Sequence, residues 1–153
     1  MAREPKMLDC EILFEPYPDD ELKCFVTEGV DLHTIAVTGM SDWYPCNFFV
    51  KSDRGEWLGG LYGNIWGGWL HVKALWVIKS DQRRGHGRRL LQAAESYSLE
   101  KGCRAASLET FSFQARHFYE KLGYEVFGQL KDYPPGHVKY FLTKRLQQTQ
   151  PAS

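Results

Sequence analysis

No apolar run in this chain approaches the ~20 residues needed to cross a bilayer, and no formal net charge remains once 19 basic residues are set against 19 acidic ones. A general binder of nucleic acid or of membrane surfaces needs a basic excess, so both classes are disfavoured. The four cysteines, Cys10, Cys24, Cys46 and Cys103, form no C-x-x-C pair and no His/Cys ligand spacing, which leaves no metal site to expect and predicts buried or reduced thiols. The opening Met1-Ala2-Arg3-Glu4-Pro5-Lys6 lacks an apolar signal core, so a cytoplasmic protein is expected. Repeats and low-complexity segments are also missing.

What is present suits a packed fold. Apolar residues make up 43% and aromatics 14% of 153 residues, enough for the core of one domain. That domain is expected over 1–146, with 147–153 a short polar tail. Leu8 to Glu15 reads as a strand ended by Pro16 and Pro18. Asp19-Asp20-Glu21 suits a helix first turn, where carboxylates meet the positive end of the dipole. Leu22, Phe25, Val26 and Val30 follow at helical spacing. Gly29 weakens that helix, and a second is expected over Leu32 to Thr38. Trp43-Tyr44-Pro45 reads as loop. Asn47 to Ser52, Trp57 to Trp66 and Trp69 to Ile78 read as strands, with Asp53-Arg54-Gly55-Glu56 and Gly67-Gly68 as turns. A helix is predicted over Gly85 to Lys101, with Leu90, Leu91, Ala94, Tyr97 and Ser98 facing inward and Gly102 as its stop. Ala105 to Thr110 is a strand and Phe113 to Leu122 a helix. Tyr124 to Leu130 and Val138 to Leu146 are closing strands. The order β-αα-βββ-α-β-α-ββ is an α+β pattern.

The densest chemistry lies at Gln82-Arg83-Arg84-Gly85-His86-Gly87-Arg88-Arg89. A strand ends, glycines follow, and a helix begins at once. Backbone N–H groups at a helix start have no partner within the helix, and the dipole adds positive charge. Glycine lets an anion approach without meeting a Cβ. A nucleotide-triphosphatase loop needs Lys-Ser/Thr after its last glycine; Arg88 and Arg89 stand here instead. A dinucleotide fingerprint needs a third glycine and a place after the first strand, and neither condition holds.

Gln-x-x-Gly-x-Gly between arginines resembles the acyl-coenzyme A loop of the GNAT N-acetyltransferase superfamily. Phe118-Tyr119-Glu120-Lys121-Leu122-Gly123-Tyr124 is similar to that family's second motif, at the expected distance downstream. The resemblance runs over roughly residues 48 to 146. It implies a GNAT fold: a central mixed, mostly antiparallel, splayed β-sheet flanked by helices, in which the strands near 69–78 and 105–110 part. It also implies acetyl-CoA as acyl donor and transfer to a primary amine by direct attack in a ternary complex. The acceptor is a small molecule or a peptide, and the protein a monomer or homodimer with no nucleic-acid or membrane partner. A reading of a different class is a non-catalytic acyl-CoA binding or sensing module, which needs the loop but no acid or base.

Site residues carry over by position. The diphosphate is expected on the backbone of Arg83, Arg84, Gly85, His86, Gly87 and Arg88, with Gln82 in support. The pantetheine amides are expected on the main chain of Leu75, Trp76 and Val77. Tyr119 matches the family tyrosine that protonates the leaving thiolate. Counting six residues back from Val77, where some relatives carry a basic carboxylate, gives His71, which period-two alternation puts on the face of Leu75 and Val77. Glu109 and ordered water are the alternatives for the base. Ser112 stands where the family often has asparagine, and is either a cofactor contact or the N-cap of the next helix. Trp43, Tyr44, Trp66 and the Tyr133-Pro134-Pro135-Gly136-His137 loop are candidates for the acceptor pocket.

Overall fold

The computed structural model describes residues 10–147. The chain divides into two compact units between Ser41 and Asp42. The first contains one continuous helix, α1, Asp20–Thr38. Asp19 caps it by accepting from the Leu22 backbone N–H at 2.8 Å, and Gly39, at φ +69°, closes it by donating to the Ile35 carbonyl. Two good caps outweigh the ~1 kcal/mol cost of Gly29, so the expected pair of helices is a single one. Among the described residues the expected first strand does not form: Leu8 and Asp9 lie outside them, and 10–15 join no sheet. An extended segment becomes a strand only by pairing, and pairing begins at Trp43.

The second unit is a six-stranded sheet with helices. Its strands are β1 (Trp43–Lys51), β2 (Trp57–Trp66), β3 (Trp69–Val77), β4 (Ala105–Phe111), β5 (Glu125–Lys131) and β6 (Val138–Arg145). The spatial order is β1-β2-β3-β4-β6-β5, with β3 and β4 parallel and every other pair antiparallel. β1 starts earlier than expected and takes in Trp43-Tyr44-Pro45. Proline is tolerated there because β1 is an edge strand, with one side free of ladder bonds. The helices are α2 (His86–Glu100), between β3 and β4, and α3 (Arg116–Lys121), between β4 and β5. α2 lays Leu90, Leu91, Ala94 and Ser98 on a core of Cys46, Leu61, Ile65, Leu70, Val72, Leu108 and Leu142. Tyr97 is only half-buried there. Burial pushes the Cys46 and Cys103 thiols above their ordinary pKa, which keeps them inert. Among the described residues no helix is long and apolar enough to cross a membrane.

Candidate active site

One irregularity in the sheet creates the site. The β2–β3 register shifts at Tyr62/Gly63: Tyr62 faces Ala74 and Gly63 faces Val72, so Lys73 is an extra residue in β3. A bulge bends a strand and ends its pairing. β3 and β4 accordingly pair only from Trp69–Ala105 to Val72–Leu108, although β3 runs on to Val77 and β4 to Phe111. Beyond Val72 the two strands part, and a cleft of about 1040 Å³ opens between them. β3 keeps its ladder to β2 on the far side, where Trp76 faces Gly60 and the Ile78 N–H donates to Leu58. Antiparallel ladders use alternate residues, so the main chain of Leu75 and Val77 points into the gap. The Val77 carbonyl is taken by the Gln82 side-chain amide at 3.0 Å. Gln82 thus ties the loop to the end of β3.

The glycine loop closes one end of the cleft. Among the described residues, no backbone N–H from Arg83 through Arg88 donates to the chain, and the first α2 bond runs from Arg89 to Gly85. Gly85 sits at φ +82° and Arg83 at φ +65°, the second an uncommon conformation for a residue with a Cβ. A Cβ on Gly87 would meet the Phe118 ring at 3.2 Å. His86 Nδ1 is buried without a partner, and His86 lines the cleft. A row of unpaired donors, a glycine cradle and an orphaned imidazole nitrogen fit an extended ligand carrying a diphosphate. Arg83 and Arg88 line the cleft. Arg84 does not, and pairs instead with Asp81 at 3.2 Å.

Tyr119 and Tyr124 show what the interior does to a phenol. Their rings are 6.0 Å apart, both are buried, and desolvation raises both pKa values. Tyr124 donates to Glu95 at 2.9 Å, and Glu95 is held by Lys144 at 2.8 Å. The Tyr119 hydroxyl has no hydrogen-bonding partner among the described residues, and the side chain lines the cleft with its pKa pushed up to about 12. It therefore stays protonated at neutral pH and is able to donate.

Two expected positions fall elsewhere. His71 lies on the paired part of β3, where its Nδ1 meets Ser107 Oγ at 3.1 Å, and it does not line the cleft. The bulge reverses the face alternation after Val72: Leu75 and Val77 pack on the same core as Leu70 and Val72, and His71 is on the other face. Ser112 is neither a cleft residue nor a helix cap. α3 begins only at Arg116, capped by Ala115 without a side-chain bond. Ser112 Oγ instead accepts from the Val138 N–H at 3.1 Å and meets His137 Nδ1 at 3.3 Å, fastening the β4–α3 turn to the β5–β6 loop. Glu109 does border the cleft, just past the last β3–β4 pair. Phe118 and Gln114 line it as well. Phe118 was readable as part of the second motif, but its contact with Gly87 was not. Gln114 accepts from the Phe111 N–H at 3.0 Å and so ends β4; no pattern in the sequence marks it.

The Acetyltransferase (GNAT) family profile matches residues 10–124. The chain belongs to the GNAT acetyltransferase family. Blasticidin-S acetyltransferase of Streptomyces morookaense is 42% identical over 99 residues, 64% of this chain and 73% of that protein. Acetyltransferase Atu2258 of Agrobacterium fabrum is 29% identical over 127 residues, 83% and 93% of the two chains. The crystal structure of an acetyltransferase from Bacillus cereus superposes with a TM-score of 0.79 at 31% identity, covering 88% of this chain and 98% of that one. This GNAT protein is thus an acetyl-CoA-dependent acetyltransferase, with the fold its two sequence motifs implied.

Proposed function

We propose that this GNAT protein moves an acetyl group from acetyl-CoA to a primary amine by direct attack, with donor and acceptor bound together. The observation that carries this reading is the Tyr119 hydroxyl, unpartnered inside the cleft whose far end is the glycine loop. The loop N–H groups hold the diphosphate. The main chain of Leu75 and the N–H of Val77, whose carbonyl Gln82 already holds, bond the pantetheine amides as an added strand would, and these N–H groups polarise the thioester oxygen. Glu109 takes the proton from the acceptor ammonium. Tyr119 protonates the departing thiolate, a contribution worth roughly 10²–10⁴ in rate. Such a donor supports a cytoplasmic place of action.

The acceptor class follows from relatives only in outline. Blasticidin-S acetyltransferase names an antibiotic, so aminated antibiotics belong in the screen beside polyamines, amino acids and peptides. The deciding experiment is that screen, read by thiol release from acetyl-CoA. Tight acetyl-CoA binding with no release for any amine would favour the binding-module reading instead.

A further inference from the structure

On the other face of the sheet a cluster of side chains adjoins the cleft through one member, Glu109. In the β4–β6 ladder Glu109 faces Phe141, and Phe111 faces Lys139. Directly opposed residues share a face, so these four form a square. It is turned away from Leu108 and Thr110, which are buried. Tyr133, from the β5–β6 loop, closes one side, its ring edge-on to Phe111 at 5.9 Å. The Lys139 ammonium sits inside, 5.8, 5.6 and 5.3 Å from the ring centroids of Phe111, Tyr133 and Phe141. It is ion-paired to Glu109 Oε2. Aromatic faces and a carboxylate are the chemistry that holds an alkylammonium.

The carboxylates lining the cleft are Asp81 and Glu109. Asp81 is taken by Arg84 within the loop. The carboxylate at the transfer end therefore already holds an amine, and that amine belongs to the chain. The Lys139 side chain is only 18% exposed, so solvent reagents reach it poorly while the cleft adjoins its partner.

We infer that Lys139 is a self-acetylation site: with acetyl-CoA in the cleft and no acceptor amine, the protein acetylates its own Lys139. This rests on the transfer reading above. The ammonium passes a proton to Glu109, and the freed lone pair attacks the thioester carbonyl carbon. A C–N bond forms, the C–S bond breaks, and the thiolate takes the Tyr119 proton. Of the two protons the nitrogen loses, one leaves through Glu109 to water and the other restores Tyr119. Lysine ammonium and acetyl-CoA thus give acetyl-lysine, coenzyme A thiol and one proton. Acetylation removes the charge and with it the ion pair and the cation–π contacts, which releases Glu109 and the rings for an acceptor's ammonium.

The test incubates the full chain with acetyl-CoA alone and maps acetylation by peptide mass spectrometry. Thiol release with the amine panel is measured in parallel. The expected result is one acetyl group at Lys139, formed at a rate independent of protein concentration and at least ~10-fold faster than at any other lysine. Tyr119→Phe should slow it by about 10-fold or more, and Lys139→Arg should remove it. Thiol release with an amine but no acetyl-Lys139 overturns the inference and leaves the transfer reading standing. Acetylation spread over exposed lysines, or unchanged in Tyr119→Phe, marks chemical modification and also overturns it. Absence of both signals defeats the inference and the transfer reading together.

Discussion

The loop end of the cleft is one contiguous stretch of backbone, residues 82–88, whereas the transfer end draws on β3, β4 and α3. At the loop end main-chain donors do the binding, and side chains matter mostly where they must be absent, as at Gly85 and Gly87. At the transfer end individual functional groups matter: the Tyr119 hydroxyl, the Glu109 carboxylate and the unpaired edge of β3. The loop end should therefore tolerate most substitutions that keep its glycines. The transfer end should fail one atom at a time.

The most severe challenge to the loop is Gly85→Glu. It forces a side chain into φ +82° and brings negative charge to the donor row; acetyl-CoA affinity should fall by about a hundredfold or more by calorimetry. Unchanged affinity would remove the loop from the site. At the transfer end, Tyr119→Phe should lower kcat by ~10- to 100-fold while acetyl-CoA affinity stays put. A loss of affinity instead would reduce Tyr119 to a packing residue. Its raised pKa also makes a statement about pH. With the phenol at about 12, kcat should show no alkaline decline from this group below pH ~10. Keeping the phenol neutral stabilises the fold fully below its unfolded value of about 10, and that stability is lost as the pH climbs towards 12. Tyr119→Phe should flatten that stretch of an alkaline unfolding curve.

Two smaller effects sharpen the contrast. Glu109→Gln should cost about 10-fold in kcat and alter the acidic limb of the rate profile. His71→Ala should change kcat by less than ~2-fold and cost about 1 kcal/mol of stability through the Ser107 hydroxyl it leaves alone. A larger effect of His71→Ala than of Glu109→Gln on the acidic limb would reverse the assignment of the base.

What was legible in the sequence follows the same divide. The glycine loop, the α2 helix and the β4 strand are local features, written in spacing and turn residues, and they fall where spacing predicts. The position of His71 depended on counting by twos along β3, and one inserted residue invalidates the count. Ser112 looked like a cap because Phe113 looked helical. The helix starts three residues later, once Gln114 has folded back on the end of β4. The square around Lys139 was invisible, since it joins residues from opposite sides of β5 in the sequence through a register that no single segment encodes. α1 was read as two helices because one glycine was given more weight than its two ends.

The extra residue in β3 has a consequence for how such an enzyme is lost. Deleting Lys73 would put the strand back in phase with both neighbours, and the sheet would zip shut like a seam where the thioester must thread. Such a chain would be better paired and more regular, and it would have nowhere to do chemistry.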